Sequence, residues 1–148
     1  MNREYLKAVV VDDIQDNIIH FQNIFSELKI EIRSHIISSG EELSLYFESE
    51  NFSLTDILFF NIDSFKKRKL EYIRSWRLND KIDNMVIAVF STELSDSEVE
   101  EMYVNGVNIC IHKPDHYNDL KKVISDVIMI NWQYYTSGLN KSNLIMKV

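Results

Sequence analysis

The sequence predicts an α/β protein in which a parallel sheet carries helices on both faces. The pattern is a short β-branched or aromatic run, a polar break and a helix-period stretch, repeated five times along the chain. Such alternation is typical of parallel strands joined by crossover helices. The run at residues 57–62 is too apolar for a half-solvated strand, so we expect it to be central and covered on both faces.

The composition predicts one well-ordered body. The chain has 148 residues, 45% of them hydrophobic, with 3 Gly and 1 Pro, which is long enough for one core and too short for two ordinary domains. The formal charge of −7 argues against nucleic acid and anionic membranes as partners, because both bind clustered Lys and Arg. The single cysteine, Cys110, predicts a buried thiol in a reducing compartment. With no signal peptide or membrane-length apolar run in sight, we expect a cytoplasmic protein.

The elements can be placed one by one. The predicted strands are residues 6–11, 30–37, 57–62, 86–90 and 107–112. The first predicted helix lies near 17–28, and the second begins after a Ser38-Ser39 cap. The third carries the apolar positions Leu70, Ile73, Trp76 and Leu78. The fourth runs from a Ser95 or Asp96 cap to an Asn105-Gly106 stop, and the fifth covers 117–135. Right-handed crossovers give a flavodoxin-like, doubly wound five-strand sheet with the order 2-1-3-4-5. We expect 1–135 to form this domain and 136–148 to pack on it or on a partner.

Polar side chains follow the carboxyl ends of these strands. Asp12 and Asp13 close the first strand, Asn61 the third, Ser91 the fourth and Lys113 the fifth. Because carboxyl ends of parallel strands share one edge of the sheet, we expect these residues to converge on one pocket. Neighbouring carboxylates suit Mg²⁺, which takes hard oxygen ligands. Asp is also a good helix N-cap, so one of the pair can serve only to begin the next helix.

This ordered set resembles the receiver domain of two-component response regulators, the CheY-like family, over about residues 5–130. The resemblance assigns metal binding to Asp12, Asp13 and the backbone carbonyl of Asp63, and phosphate contacts to Ser91 and Lys113. It also implies an ion pair between Lys113 and the acidic cluster, and a cis bond before Pro114.

The departures from the family pattern are as informative as the matches. Asn61 stands where the family has its phosphoacceptor aspartate, and an amide has no carboxylate oxygen to act as nucleophile. Cys110 stands at the aromatic switch position, Phe65 at a usual loop proline, and Thr92 where a smaller residue is common. An amide at 61 keeps the shape of the acceptor while reducing repulsion among clustered carboxylates.

The resemblance leads to a stand-alone, non-enzymatic pseudo-receiver of a two-component system. We expect it to bind Mg²⁺ weakly and to act through a protein partner, a histidine kinase or a downstream signalling protein. Three alternatives stay open. They are a phosphorelay receiver that is phosphorylated at Asp63, an ordinary response regulator silenced by introducing Asn61, and a flavodoxin. In a flavodoxin, the acidic residues 12–16 would repel the flavin phosphate.

The last predicted helix has two apolar stripes. The first is formed by Leu120, Val123, Ile124 and Val127, and the second by Ile128, Trp132 and Tyr135. A second stripe needs cover, and aromatic side chains often anchor interfaces. We expect residues 139–148 to cover part of it, and a second copy of the chain or another protein to cover the rest.

Overall fold

The computed structural model describes residues 4–65, 67–79, 84–137 and 144–148. The strands in these ranges are β1 (Tyr5–Val11), β2 (Glu31–Ile37), β3 (Ile57–Asn61), β4 (Val86–Ser91), β5 (Ile109–His112) and β6 (Met146–Lys147). The helices there are α1 (Gln15–Glu27), α2 (Gly40–Glu48), α3 (Lys69–Arg77), α4 (Asp96–Val104) and α5 (Tyr117–Ser137), with a 3-10 helix at Glu50–Leu54. All strands run parallel in the order 2-1-3-4-5-6. The predicted doubly wound order 2-1-3-4-5 is confirmed, and β6 is an addition to it.

The core has two layers, one on each face of the sheet. Val9 of β1 faces the layer that contains Trp76 and the apolar sides of α2, α3 and α4. Its neighbour Val10 faces the opposite layer, which contains Phe21 and the apolar sides of α1 and α5. This alternation follows from the two-residue period of a strand. β3 is buried along its whole length, as its uninterrupted apolar run predicted.

Local signals set the helix ends that frame the sheet. The Ser39 side chain accepts a hydrogen bond from the Glu42 backbone N–H (3.1 Å), and Ser95 forms a reciprocal capping box with Glu98. α4 ends through Gly106, whose φ of 102° is the left-handed conformation that the Asn105-Gly106 pair predicted.

Several boundaries differ from the sequence prediction by one or two residues, including the end of α3 and the start of β5. Leu78 does not belong to the apolar side of α3, because it follows the last helical residue and is 84% exposed. The side chain of the preceding Arg77 donates to the carbonyl oxygens of Gly106 (2.7 Å) and Met85 (3.0 Å). β5 begins at Ile109, and the side chain of the preceding Asn108 bonds to the backbone of β4 and of the segment before β6.

The short strand β6 covers the outer edge of β5. The Met146 N–H donates to the Asn108 carbonyl (2.7 Å), the Val148 N–H to the Cys110 carbonyl (2.9 Å), and the His112 N–H to the Val148 carbonyl (3.0 Å). Covering the edge this way satisfies backbone groups that would otherwise be open to another strand. Residues 138–143, which include half of the predicted cover for α5 at 139–148, lie outside the described residues. In the described part of the chain, no helix is both long and apolar enough to span a bilayer.

Candidate functional site

The predicted pocket residues lie at one edge of the sheet. β3 and β4 stay in register up to Asn61, and β4 and β5 up to Ser91, so these strand ends are neighbours. Asp12 follows β1 directly and is anchored by its backbone N–H, which donates to the Ile37 carbonyl at the end of β2 (3.0 Å). The edge therefore carries two groups of polar side chains, one between β1 and β3 and one between β3 and β4.

We call the first group the inner side; it consists of Asp12, Asn17 and Asn61. All three residues are buried, and Asp12 is fully so. Asp12 Oδ1 accepts from Asn61 Nδ2 (3.0 Å) and from the Ile14 backbone N–H (2.9 Å), while Asp12 Oδ2 accepts from Asn17 Nδ2 (2.9 Å). Both oxygens of this buried carboxylate are thus satisfied by protein donors, which compensates for its removal from water.

The second group, the outer side, consists of Asp63, Ser91 and Thr92. The Ser91 hydroxyl donates to Asp63 Oδ1 (2.6 Å), and the backbone N–H and hydroxyl of Thr92 both reach Asp63 Oδ2 (3.0 and 3.2 Å). Ser91 is buried, Asp63 is half-buried and Thr92 is exposed. The outer side is therefore a carboxylate held by three donors at the rim of the pocket.

Asn61 joins the two sides. Its amide nitrogen donates to Asp12, and its amide oxygen accepts from the Asp63 backbone N–H (2.9 Å). A carboxylate at this position could accept the second bond but could not make the first. The amide is thus the group that the two neighbouring contacts require.

The other acidic residue, Asp13, lies apart from both sides. It is exposed, and its Oδ1 accepts a hydrogen bond from the Ser64 hydroxyl (2.5 Å), which ties the loop after β1 to the loop after β3. In the described ranges, no group of three or more His, Cys, Asp or Glu side chains is arranged to hold a metal ion.

The residues do not fit a Mg²⁺ site as they are arranged here. A cation between Asp12 and position 61 would meet the Asn61 amide N–H groups, which carry partial positive charge. The resemblance assigned only the backbone carbonyl of Asp63 to a metal, and the Asp63 carboxylate is engaged by Ser91 and Thr92 instead. The predicted ligands Asp12, Asp13 and Asp63 are therefore neighbours along the edge without converging on one point.

Lys113 is placed at the pocket by its backbone. Its N–H donates to the Ser91 carbonyl (2.8 Å), directly after β5. Contrary to the expected ion pair with the acidic cluster, the Lys113 ammonium makes no salt bridge with any residue that the structure describes. The expected cis bond before Pro114 is also wrong, since the described peptide bonds are all trans.

The switch-position residue Cys110 is fully buried in β5, and Tyr103 of α4 lies beside it. Burial, with a smaller contribution from the Cys110 side chain, raises the pKa of Tyr103 to about 12. The Tyr103 hydroxyl donates to the Met146 carbonyl of β6 (2.6 Å). Sequence reasoning missed Tyr103. The signal was the small Cys110, which leaves room for an aromatic ring from a neighbouring element.

A hydrogen-bonded path leads from the outer side to β6. The Thr92 carbonyl contacts His112 Nε2 (2.7 Å), and the His112 backbone N–H donates to the Val148 carbonyl (3.0 Å). Sequence reasoning placed His112 at the end of a strand and gave it no role.

The predicted contact surface on α5 requires a correction. Ile128 is 1% exposed and belongs to the core layer against the sheet, so it is not available to a partner. Trp132 and Tyr135 are half-buried at the margin of the same layer, with their ring centroids 5.7 Å apart. The second stripe is therefore reduced to this aromatic pair.

No family model and no curated protein matches the chain. Solved structures with the same fold include several response regulators. The phosphorylated cyanobacterial phytochrome response regulator RcpA is 19% identical, with a TM-score of 0.76 over 86% of this chain and 94% of that one. A response regulator in red light signaling of R. palustris is 18% identical, with a TM-score of 0.73 over 87% and 92%. The Mn²⁺-bound form of response regulator Rcp1 is 18% identical, with a TM-score of 0.72 over 82% and 91%. The chain thus has the fold of stand-alone, CheY-like receiver domains.

Proposed function

We propose that this chain is a receiver-like protein of a two-component system that signals by binding a partner, without accepting a phosphoryl group at Asn61. The observation that carries the proposal is the double engagement of the Asn61 amide, with Asp12 on one side and the Asp63 backbone on the other. Phosphoryl transfer needs a free carboxylate oxygen as nucleophile. Position 61 supplies a neutral amide that is used to hold the pocket together.

The partner is a histidine kinase or a downstream signalling protein, in keeping with the fold. A surface role is supported by the Trp132–Tyr135 pair, because half-buried aromatic side chains are the kind that anchor interfaces. Beyond α5, the short strand β6 pairs with β5.

Phosphorylation is tested with acetyl phosphate and Mg²⁺, read by intact-mass spectrometry in mild acid. The wild type should gain no phosphoryl group, whereas Asn61→Asp should gain one if the rest of the pocket is competent. Gain by the variant would also be the result expected of a regulator silenced at this position. A stoichiometric gain by the wild type would contradict the proposal.

A second candidate is phosphorylation at Asp63. It is favoured by one observation, namely that Asp63 is the carboxylate in contact with both Ser91 and Thr92. The same experiment separates the two candidates, because a mass gain that is present in the wild type and lost in Asp63→Ala would establish Asp63 as the acceptor.

The partner surface is tested with Trp132→Ala, in light scattering or in capture by candidate kinases. The variant should keep a cooperative unfolding transition and lose association. The matched control is Leu78→Ala, which removes an exposed apolar side chain from another part of the surface. Equal loss in both variants, or no loss in either, would contradict a role for the aromatic pair.

A further inference from the structure

A groove lies between α2 and the strands β1 and β2. Its volume is about 400 Å³, and its lining side chains are those of Lys7, His35, Glu42, Leu45, Tyr46 and Ser49. A volume of this size is within the range of small-molecule sites. Lys7 lies about 16 Å before Asp12 at the rise of a parallel strand, so the groove is separate from the pocket at the strand ends.

The edge strand β2 is not covered by α2 at this groove. Lys7 and Val9 of β1 lie on this face of the sheet, and their register partners on β2 are Arg33 and His35. Val9 is buried, whereas Arg33 and His35 are both exposed and Lys7 is half-buried. The floor of the groove therefore consists of cationic and imidazole side chains that water reaches.

The positive charge on this floor is incompletely compensated. Lys7 and Arg33 are direct neighbours across the two strands, and like charges placed in this way are destabilising. Arg33 pairs with Glu31 (2.6 Å), but the Lys7 ammonium makes no salt bridge with any residue that the structure describes. In a chain with a net charge of −7, such a lysine indicates a place for an added anion.

Two carboxylates of this region are engaged by other groups. Glu42 Oε1 accepts from the Ser38 hydroxyl (3.0 Å), and Asp56 Oδ2 accepts from the backbone N–H of Lys7 (2.8 Å). Because neither carboxylate forms an ion pair with the Lys7 ammonium, that group keeps its capacity to bind an anion from solution.

The groove also offers a flat apolar surface beside this cation. The rings of His35 and Tyr46 are stacked, with centroids 4.9 Å apart and planes inclined by 21°. Tyr46 is 8% exposed and its hydroxyl is hydrogen-bonded to Thr55 (3.2 Å), which fixes the buried ring of the pair. The His35 ring is exposed, and the Leu45 side chain in the same groove is 69% exposed. A planar ring can stack on such a surface.

We propose that this groove binds a small aromatic carboxylate. The Lys7 ammonium is the counter-ion of its carboxylate, and the His35 imidazole is the surface on which its ring stacks. The inference goes beyond the proposed function and does not depend on it, because the groove contains none of the residues of the pocket around Asn61.

The test is a titration of the full ¹⁵N-labelled chain with benzoate and with benzamide at constant ionic strength. Benzamide has the same ring and a similar shape without the charge. Benzoate should cause saturable shifts at the amides of Lys7, His35 and Tyr46, with an affinity about tenfold above that of benzamide, because a hydrogen bond between two charged groups is stronger. Equal affinities, shifts confined to other parts of the chain, or no saturable shift would each overturn the proposal.

A charge-removing variant identifies the counter-ion. Lys7→Met keeps the apolar stem of the side chain, so it should lower the benzoate affinity about tenfold and leave that of benzamide unchanged. The matched control is Lys122→Met, which removes the same charge from an exposed position on α5, on the opposite face of the sheet. It should bind benzoate as the wild type does. An equal loss in both variants would mean that overall charge attracts the ligand, and the role of Lys7 would be wrong.

The stacking surface is tested with His35→Ala. This variant should weaken benzoate and benzamide alike, since it removes the surface that both rings share. Unchanged affinity for both probes would contradict the stacking role. If Lys7→Met does not fold, the comparison of the two probes on the wild type decides alone, and the preference for benzoate should then shrink as sodium chloride is added. A preference that is unaffected by salt would contradict an ionic contact.

Discussion

The two sides of the pocket hold their carboxylates in opposite ways. On the inner side, Asp12 is fully buried between central strands and receives its hydrogen bonds from Asn61, Asn17 and a helix-start amide. On the outer side, Asp63 is half-buried at the rim and is held by Ser91 and Thr92 at the end of β4. The inner carboxylate is part of the core, whereas the outer one lies where water can replace its hydrogen-bond partners.

This difference indicates which side can respond to its surroundings. A fully buried and satisfied charge resists change, because removing any one partner leaves an uncompensated group in a low-dielectric environment. A rim carboxylate can be displaced at lower cost because water replaces its partners. Changes at this edge of the sheet are therefore expected at Asp63 and its donors, with the inner side as a fixed frame.

The largest effect should follow from Asp12→Ala. The substitution leaves the Asn61 amide, the Asn17 amide and the Ile14 N–H without an acceptor, so we expect the free energy of unfolding to fall by about 3 kcal/mol. Urea denaturation measures it. The matched control is Asp13→Ala at the neighbouring exposed position, which should change the value by only about 0.5 kcal/mol. Equal losses of stability in the two variants would show that the buried Asp12 carboxylate contributes no more than the exposed Asp13 carboxylate does.

Asn61→Asp should have the next largest effect. The substitution replaces the amide donor with a carboxylate about 3 Å from Asp12. In the absence of metal, loss of the hydrogen bond together with repulsion between the two carboxylates should lower the free energy of unfolding by about 2 kcal/mol. Mg²⁺ should restore much of this loss, because it binds the folded state and compensates both charges. Denaturation in EDTA and in Mg²⁺ measures both effects. If Mg²⁺ stabilises the wild type to the same extent, the Asn61 amide is not the reason for weak Mg²⁺ binding.

The sheet and the pocket edge could be predicted because they depend on periodic patterns. Alternating residues of β1 and the continuous apolar run of β3 specify both core layers, and the polar residues that close the strands must share an edge. The capping residues Ser39 and Ser95 could likewise be predicted, because capping depends on residues within one turn.

What the sequence did not show depends on contacts between distant residues. The Asp63 carboxylate turns toward Thr92, 29 positions along the chain, and no local pattern encodes that direction. β6 has only two residues and is therefore too short to show the alternating pattern of a strand. Ile128 was assigned to an outer stripe because α5 is apolar on more than one face, whereas the observed burial shows that its core-facing side is wider than expected.

A smaller effect is expected from Asp63→Ala on stability. Its donors lie at the rim, where water can replace the carboxylate, so the free energy of unfolding should fall by about 1 kcal/mol, well below the loss for Asp12→Ala. Urea denaturation of both variants under one set of conditions provides the comparison. If Asp63→Ala costs as much as Asp12→Ala, the outer side is as much a part of the frame as the inner one.

The smallest effect is expected from Tyr103→Phe, which tests how far the outer side reaches. The outer side is linked through His112 to the Val148 carbonyl just after β6, and the Tyr103 hydroxyl donates to the Met146 carbonyl of β6. Loss of that bond should cost about 0.5 kcal/mol at neutral pH. It should also speed amide exchange at Val148 and His112, and leave the amide of Ile14 on the inner side unchanged.

The pH dependence of this variant gives an independent check. The pKa of Tyr103 is raised in the folded protein, mainly by burial, from its ordinary value of 10.0 to about 12. The folded state thus favours the neutral phenol, and the stability that it contributes is complete below pH 10 and is lost as the pH rises from 10 to about 12. The advantage of the wild type over Tyr103→Phe in free energy of unfolding should therefore shrink across this range. An advantage that stays constant, or grows, would mean that the Tyr103 hydroxyl does not hold β6 as a neutral donor. The hydrogen-bonded path from the outer side would then end at His112.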